Sequence, residues 1–227
     1  MIDISVIIMA YNEEDTVVSL TEEIRTVLSD MGKPCEILII DDGSLDNTGK
    51  RVDHIKHKYN EIRIIRHPVN LGLGGVYRTG FTEAKGDFVT FFPADGQFPA
   101  EIIRQFRPMM KDFDMVLGYL PERKGSAVSK VLSTIERWLY AVLFGPLPRF
   151  QGIIMFKRPL LDEFKLKSLG RGWAVLMELI IRTKRAGHKI ISVPTRMRQR
   201  KNGFSKVNNL GTIFANLIQV ITLRCLL

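Results

Sequence analysis

Three short polar clusters in the first hundred residues carry side chains that could bind a metal and a phosphorylated ligand. They are Tyr11-Asn12-Glu13-Glu14, Asp41-Asp42-Gly43-Ser44 and Asp95-Gly96-Gln97. Carboxylate and amide oxygens are hard ligands, which suit Mg²⁺ or Mn²⁺ better than zinc. A divalent cation on such ligands neutralises the charge that develops on a departing diphosphate without any proton transfer. Each cluster alone has a plainer explanation, because Asn, Asp and Gly also cap helices and form turns.

Each cluster follows a segment that is typical of a buried β-strand. The predicted strands span residues 4–10, 35–40, 63–65 and 88–92. Between them, apolar residues recur at helical spacing, which predicts helices over residues 13–31, 46–59 and 74–85. This alternation requires right-handed crossovers and predicts an α/β fold, a mostly parallel sheet with helices on both faces. Because ligands bind beyond the carboxyl ends of such strands, the three clusters are predicted to converge on one edge.

The composition fits one α/β domain with a short appendage. The chain has 227 residues and is 45% hydrophobic, enough to bury a substantial core. Its two cysteines, Cys35 and Cys225, can form neither a disulfide framework nor a four-ligand zinc site. The first residues lack the basic leader and apolar core of a signal peptide. Together these features predict a cytoplasmic protein.

Charge and two apolar segments favour a membrane surface as a partner. The net charge of +9 favours anionic partners, and Lys and Arg concentrate between residues 184 and 206. Residues 131–147 and 210–227 each carry an apolar face that suits a membrane interface, and the second contains too many polar residues to span a bilayer. The alternative is packing on the sheet or on a partner subunit, which would make a homo-oligomer. No nucleic-acid partner is expected, because no aromatic and basic recognition motif accompanies the charge.

Six motifs, in this order, resemble those of the family 2 glycosyltransferases. They are Ala10-Tyr11-Asn12-Glu13-Glu14, Ile40-Asp41-Asp42-Gly43-Ser44, Asp46-Asn47-Thr48, Asn70-Leu71-Gly72, Ala84-Lys85-Gly86-Asp87 and Ala94-Asp95-Gly96-Gln97. The resemblance implies an inverting transferase of the GT-A fold. Its domain would span residues 1–206, with a nucleotide-sugar-binding half over 1–100 and an acceptor-binding half over 101–206. Residues 207–227 would form a C-terminal amphipathic helix.

The resemblance also implies which residues hold the nucleotide-sugar donor and a Mg²⁺ or Mn²⁺ cofactor. The expected donor contacts are Ala10, Tyr11, Glu13, Asp41, Asp42, Gly72 and Asp95, and the expected metal ligands are Asp95 and Gln97. The related pattern is Asp-Ala-Asp-x-Gln, whereas this chain has Pro93-Ala94-Asp95-Gly96-Gln97. Because the first acid is missing, metal binding would rest more on Asp95, the donor phosphates and water.

Within the family, the compact size and the segment Arg200-Lys201-Asn202-Gly203-Phe204-Ser205-Lys206 resemble the dolichyl- and polyprenyl-phosphate sugar transferases. Arg123, Arg200 and Lys206 are then expected to bind the acceptor phosphate, and Asp95 and Arg200 to be catalytic. Arg198 is a further candidate for a phosphate contact. The related acceptor loop Ser-Gly-Phe-Arg is altered to Gln151-Gly152-Ile153-Ile154, which loses an arginine. Lys157 and Arg158 are the nearest substitutes.

The expected reaction is transfer of a hexose from GDP-mannose or a UDP-sugar to polyprenyl phosphate, by a protein peripheral on the cytoplasmic face of the membrane. A phosphate monoester is largely a dianion at neutral pH and needs no general base. A saccharide hydroxyl, the alternative acceptor in polysaccharide or glycolipid synthesis, does need one. Glu178, in the predicted helix 173–185, could serve as that base, although a lone acid on a helix also has a structural explanation. A catalytically impaired nucleotide-sugar-binding protein is the remaining alternative.

Overall fold

Seven strands form one sheet in the computed structural model, which describes residues 1–121, 140–198, 221–225 and 227. The strands are β1 Ile4–Ala10, β2 Cys35–Asp41, β3 Ile62–Arg66, β4 Phe88–Pro93, β5 Met115–Tyr119, β6 Ile154–Lys157 and β7 Ile190–Pro194. Their order across the sheet is β3-β2-β1-β4-β6-β5-β7. All neighbouring strands are parallel except β6, which runs antiparallel to β4 and β5. The predicted mostly parallel α/β sheet is confirmed.

Helices cover both faces of this sheet. The described helices are α1 Val17–Met31, α2 Thr48–Lys56, α3 Gly72–Glu83, α4 Ile102–Met109, α5 Pro159–Glu163 and α6 Ala174–Arg185, and residues 140–144 and 221–225 are also helical. One apolar cluster joins the sheet to α1, α2 and α4, and the other joins it to α3, α5 and α6. Alternate β1 residues enter opposite clusters, Ile8 the first and Ile7 the second. All seven β1 residues are therefore buried, as expected for a central strand.

The strand register brings the three polar clusters to the same edge. Ala10 at the end of β1 pairs with Asp41 of β2, and Met9 pairs with Pro93 of β4. The residues that follow these three strands therefore lie side by side at the carboxyl edge. The predicted convergence is confirmed.

The antiparallel direction of β6 reverses the expected positions of two cations. Lys157 pairs with Phe88 at the start of β4, so it lies at the amino edge of the sheet, where its Nζ contacts Asp114 Oδ1 at 2.8 Å. Arg158 follows it, donates its backbone N–H to Asp87 O and pairs with Asp162. Neither side chain can substitute for the missing acceptor-loop arginine, and that prediction was wrong. The loop that precedes β6 lies at the carboxyl edge instead.

The described parts of the two apolar segments pack on the protein. Phe144 and Leu223 are buried together against Ile181 of α6, whereas Val142 and Ile221 are exposed. Residues 131–139, 210–220 and 226 lie outside the described residues. In the part of the chain that the structure describes, no helix is both long enough and apolar enough to cross a membrane.

Candidate active site

Hydrogen bonds between the loops after β1 and β2 form one wall of the site. Asn12 donates its N–H to Ser44 Oγ at 3.0 Å and accepts from the N–H of Leu45 through Oδ1 at 2.8 Å. The N–H of Glu13 donates to Thr48 Oγ1 at 2.9 Å. These contacts explain why α1 begins at Val17 rather than at Glu13: the residues before it bind the neighbouring loop. Asn12 also has a φ of 53°, a left-handed conformation that Asn tolerates better than most residues.

Tyr11 and Glu13, predicted to contact the donor, are half-buried in this wall. Ala10 is buried, and its carbonyl accepts the N–H of Asp42 at 2.8 Å. Asp41 is also buried, and its Oδ1 accepts the N–H of Ser44 at 3.1 Å. Ala10, Tyr11, Glu13 and Asp41 are thus brought together at the ends of β1 and β2, and their contacts to the donor stay a prediction.

Asp42 has a different environment, because its carboxylate is buried and fully occupied by protein groups. One oxygen, Oδ1, contacts His67 Nδ1 at 2.6 Å and accepts the N–H of Leu71 at 2.9 Å. The other, Oδ2, accepts from Asn70 Nδ2 and from the N–H of Gly72, both at 2.9 Å. A carboxylate has about four acceptor positions, so none remains for a ligand. The structure gives Asp42 a supporting role, and the donor contact predicted for it stays a prediction.

The contacts of Gly72 within the protein explain why this position is a glycine. Its φ is 75°, and a Cβ there would lie 2.7 Å from the carbonyl oxygen of Arg171. At Gly74 the corresponding distance to the carbonyl oxygen of Gly170 would be 1.9 Å. The close backbone approach that these glycines predict is therefore made by residues 167–172, called here the 167–172 loop. A donor contact at Gly72 stays a prediction.

The turn after β4 carries the predicted metal ligands. Asp95 Oδ1 accepts the N–H of Gln97 at 3.1 Å, and Gly96 between them has a φ of 68° with no atom within 4 Å of where a Cβ would lie. Both side chains are half-buried. No group of three or more His, Cys, Asp or Glu side chains in the described residues could hold a metal by itself. This arrangement fits Mg²⁺ or Mn²⁺ held by one carboxylate, because these ions commonly take their remaining ligands from phosphates and water.

The backbone carbonyl of Gln97 already has one partner, because it accepts the N–H of Arg198 at 2.8 Å. A carbonyl oxygen has two lone pairs, so one remains, and the side-chain amide oxygen of Gln97 is the other possible metal ligand of this residue. The Arg198 side chain pairs with both carboxylate oxygens of Glu23, at 2.7 and 2.9 Å. The Arg198 side chain is thus engaged by Glu23 and not directed to a phosphate in this structure. Arg123, Arg200 and Lys206, the other predicted phosphate contacts, lie outside the described residues.

Glu178, considered as a general base, is buried in α6 with its carboxylate occupied. It accepts the N–H of Lys167 at 3.0 Å, the N–H of Ser168 at 2.7 Å and Arg182 Nε at 2.8 Å, and its exposed fraction is 0%. Burial opposes ionisation, but the hydrogen bonds from Lys167, Ser168 and Arg182 outweigh it and lower the pKa of Glu178 below its ordinary value of 4.5. A base that cannot reach a substrate and is weakly basic does not suit proton abstraction.

The lowered pKa of Glu178 predicts a specific acid sensitivity. A carboxylate whose pKa falls on folding contributes stability that is fully present above the unfolded value and is lost as the pH falls through the folded value. We expect the wild-type protein to lose stability below about pH 4.5 more steeply than Glu178→Gln, which cannot titrate. Urea denaturation midpoints at several pH values between about 3 and 7 measure the difference. Parallel curves would contradict the assigned hydrogen bonds.

Comparison with known proteins identifies the family. Residues 5–169 match the model described as "Glycosyl transferase family 2". The chain belongs to this family.

Curated relatives of this family 2 chain include lipid-phosphate sugar transferases. It is 28% identical to a dolichol-phosphate mannosyltransferase of Pyrococcus furiosus, over 97% of this chain and 63% of that protein. It is 27% identical to a dolichol-phosphate mannosyltransferase of Saccharomyces cerevisiae, over 79% of this chain and 70% of that protein. The chain thus spans less than two thirds of the length of the first of these relatives.

Solved structures share the fold of this family 2 chain. Glucosyl-3-phosphoglycerate synthase from Mycobacterium tuberculosis, in complex with Mn²⁺, UDP-glucose and phosphoglyceric acid, is 23% identical, with a TM-score of 0.73 over 98% of this chain and 79% of that one. Its complex with Mg²⁺ and UDP gives 0.71 at 23% identity, over 98% and 79% of the two chains. This likeness shows that the family 2 chain has the GT-A fold.

Three residues of this family 2 chain, Asn70, His67 and Arg171, make structural contacts that the sequence did not indicate. Asn70 connects two loops, because its Nδ2 donates to Asp42 and its Oδ1 accepts from Arg171 Nη2 at 2.7 Å. His67 connects Asp42 to Thr79 Oγ1, which its Nε2 contacts at 2.8 Å. Asn70 belongs to the motif Asn70-Leu71-Gly72, so the sequence indicated that it matters, although not which residues it contacts. Neither His67 nor Arg171 has a spacing that would indicate its partners.

Proposed function

We propose that this family 2 transferase moves a hexose from GDP-mannose or a UDP-sugar to polyprenyl phosphate, with inversion at the anomeric carbon. The observation that carries the proposal is the occupied carboxylate of Glu178, which excludes the one residue that the sequence suggested as a base for a hydroxyl acceptor. A phosphate dianion acceptor requires no such base. The curated relatives named dolichol-phosphate mannosyltransferase support the same acceptor class.

On the donor side, the residues at the carboxyl edge divide into two groups. Tyr11, Glu13 and the strand ends at Ala10 and Asp41 would bind the base and ribose of the donor. Asp95, with the Gln97 amide, would hold Mg²⁺ or Mn²⁺ beside the diphosphate. When bound, the cation would neutralise the negative charge that develops on the departing diphosphate.

On the acceptor side, the reaction is a single displacement. A phosphate oxygen of the lipid forms a bond to the anomeric carbon while the bond from that carbon to the diphosphate oxygen breaks, and the nucleoside diphosphate leaves. No proton has to be removed from the acceptor. The protein must therefore hold two anions in line and close together, which requires cations at this edge.

Arg149 is a described cation in a suitable place for the acceptor phosphate. It lies in the loop before β6, near the carboxyl end of β5, with its guanidinium carbon 5.4 Å from the ring centroid of Tyr119. The same loop is bound to β5 through Gln151, whose N–H donates to Gly118 O at 2.7 Å. Its Gly152 lies close to Phe98, which directly follows the Asp95–Gln97 turn. Arg149 is exposed and has no carboxylate partner among the residues that the structure describes.

We expect Arg149→Ala to raise the KM for polyprenyl phosphate by about tenfold, because a charge-assisted hydrogen bond is worth about 1.5–3 kcal/mol. Initial rates at varied acceptor concentration and saturating donor measure the change. Arg158→Ala is the matched control, because Arg158 lies at the opposite edge of the sheet. Equal effects of the two substitutions would remove Arg149 from the acceptor site. Arg200→Ala and Lys206→Ala test the remaining predicted phosphate contacts in the same assay.

The acceptor also determines where the enzyme would work. A polyprenyl phosphate is held in a bilayer, so we propose that the protein binds peripherally at the cytoplasmic face of a membrane. The net charge of +9 supports attraction to anionic headgroups. Co-sedimentation with vesicles of anionic and of neutral lipids measures this association.

The direct test of the proposed function follows labelled sugar into lipid. The purified protein is incubated with radiolabelled GDP-mannose or UDP-glucose, Mg²⁺ or Mn²⁺, and polyprenyl phosphate in detergent. Label that enters the organic phase only when the acceptor is present supports the proposal. Label that enters only water-soluble saccharide products supports the hydroxyl-acceptor alternative. Nucleotide-sugar binding without transfer supports the catalytically impaired alternative.

A further inference from the structure

We propose that Glu178 is a positioning residue for the donor. Through the 167–172 loop and α3, it fixes the position of the strand ends that bind the nucleotide. The inference depends on the proposed function only in assuming a nucleoside diphosphate donor. Glu178 itself is too deeply buried to touch a substrate. Its effect must therefore pass through the residues that it holds.

The first link joins α6 to the 167–172 loop. Glu178 accepts the backbone N–H groups of Lys167 and Ser168, which fixes the start of the loop. From α3, the half-buried Arg78 donates to the carbonyl oxygens of Ser168 at 3.4 Å and Gly170 at 3.1 Å. The loop has few apolar anchors, since Leu169 is 79% exposed. Its conformation thus depends mainly on these polar contacts.

The second link joins the loop to the first turn of α3. Arg171 accepts the N–H of Gly74 through its carbonyl oxygen at 2.8 Å. Its Nη2 donates to both the carbonyl and the side-chain oxygen of Asn70, each at 2.7 Å. The backbones meet too closely for any side chain larger than glycine at position 74. A shift of the loop must therefore shift the start of α3.

The third link joins the start of α3 to the donor edge. Asn70 and Gly72 donate to the carboxylate of Asp42, which extends from the residue directly after β2. The backbone N–H of Asp42 donates to the carbonyl of Ala10, the last residue of β1, at 2.8 Å. Tyr11, a proposed donor contact, is the next residue. The contacts form a continuous connection from the helix of the acceptor-binding half to the nucleotide edge.

A second buried carboxylate separates this role from ordinary stabilisation. Glu36 is 3% exposed, and it too accepts a backbone N–H, that of Lys85 at 2.8 Å, and pairs with an arginine, Arg63, at 3.0 Å. Its other partner is Ser5 Oγ, near the start of β1. Glu36 therefore lies at the amino edge of the sheet, away from the donor. The two glutamates match in burial and in the kind of contact they make but differ in position.

The experiment compares Glu178→Gln with Glu36→Gln. Binding of GDP and of UDP, each with Mn²⁺, is measured by calorimetry at a temperature where both variants are folded by circular dichroism. We expect Glu178→Gln to raise the Kd of the bound nucleotide by about tenfold, within the range of coupling through packed networks. We expect Glu36→Gln to lower the urea midpoint and to leave that Kd unchanged. Arg171→Ala, which removes the two side-chain contacts to Asn70 in the same connection and keeps the backbone contact to Gly74, should also raise the Kd.

The combination of substitutions tests the connection itself. If Glu178 and Arg171 act through one path, the Kd of the double variant should be close to that of the single variant that binds nucleotide less tightly. Independent effects would instead multiply the two increases in Kd. If Glu178→Gln fails to fold, Arg171→Ala alone carries the test. Equal Kd values for wild type, Glu178→Gln and Arg171→Ala would overturn the inference and leave the proposed function intact. A wild-type protein that binds neither nucleotide would overturn the proposed donor class and the inference together.

Discussion

Replacing Asp95 with Ala should lower kcat/KM for sugar transfer by about a thousandfold, the largest activity loss that we expect from any single substitution. The reason is the missing partner acid. Pro93 stands where the related pattern has an aspartate, and the described residues contain no cluster of three or more metal-ligating side chains. If Asp95 holds the cation, as proposed, it would be the main anchor in the protein, and a several-kcal/mol electrostatic effect would depend on one carboxylate.

The control residue flanks the other end of β4. Asp87 is an exposed acid directly before β4, at the opposite end from Asp95. Asp87→Ala should keep wild-type transfer activity, so the comparison removes general effects of lost charge. Transfer rates at varied Mn²⁺ concentration are the measurement. If Asp95→Ala keeps a rate within a few fold of wild type, at the same Mn²⁺ dependence, then Asp95 does not hold the cation.

The central strands and the site edge were predictable because their residues satisfy one strong constraint. A strand covered by helices on both faces must be apolar at nearly every position, and β1 has the bounds 4–10 that the sequence indicated. Parallel strands also place their carboxyl ends together, so polar residues after 10, 40 and 92 had to meet. For these strands the local sequence pattern and the topology agree, so both the sheet and the edge that carries the polar clusters were predictable.

The acceptor-binding half was less predictable because its pairing is not encoded locally. The strand β6 has only four residues, and it runs antiparallel to both β4 and β5. That direction moved Lys157 and Arg158 to the opposite edge from the one expected. Alternating or apolar patterns predict that a strand exists but do not give its direction.

The roles of single polar residues were the hardest to predict, because an acidic residue that binds a ligand looks the same in the sequence as one that binds the backbone. Glu178 fitted both a general base and a structural acid. Besides Arg182, one helical turn away, its partners are the backbone N–H groups of Lys167 and Ser168, which have no sequence signature. Glycines have a similar ambiguity: Gly72 permits close approach by a nucleotide or by another loop, and the structure shows the loop.

The second large effect is expected in stability, from Asp42→Asn. We expect this variant to lose about 2–4 kcal/mol of unfolding free energy, because each oxygen of Asp42 has two partners. Those partners are His67 and Leu71 at Oδ1 and Asn70 and Gly72 at Oδ2. In either orientation of the asparagine, its NH₂ group replaces one oxygen and faces groups that had donated to it. The loss is measured by urea denaturation at neutral pH.

Asp53→Asn is the matched control for Asp42→Asn. Asp53 is 49% exposed and pairs with Arg66 at 2.7 Å, and an exposed ion pair of this kind is worth at most about 1 kcal/mol. The comparison also decides between the two roles assigned to Asp42. A supporting carboxylate should lose stability when it is replaced, and the Kd of the folded variant for nucleotide should rise by about tenfold, as expected for Glu178→Gln, because Asp42 belongs to the same connection. If Asp42→Asn instead keeps wild-type stability and loses nucleotide binding, then Asp42 contacts the donor directly, as its sequence motif predicts.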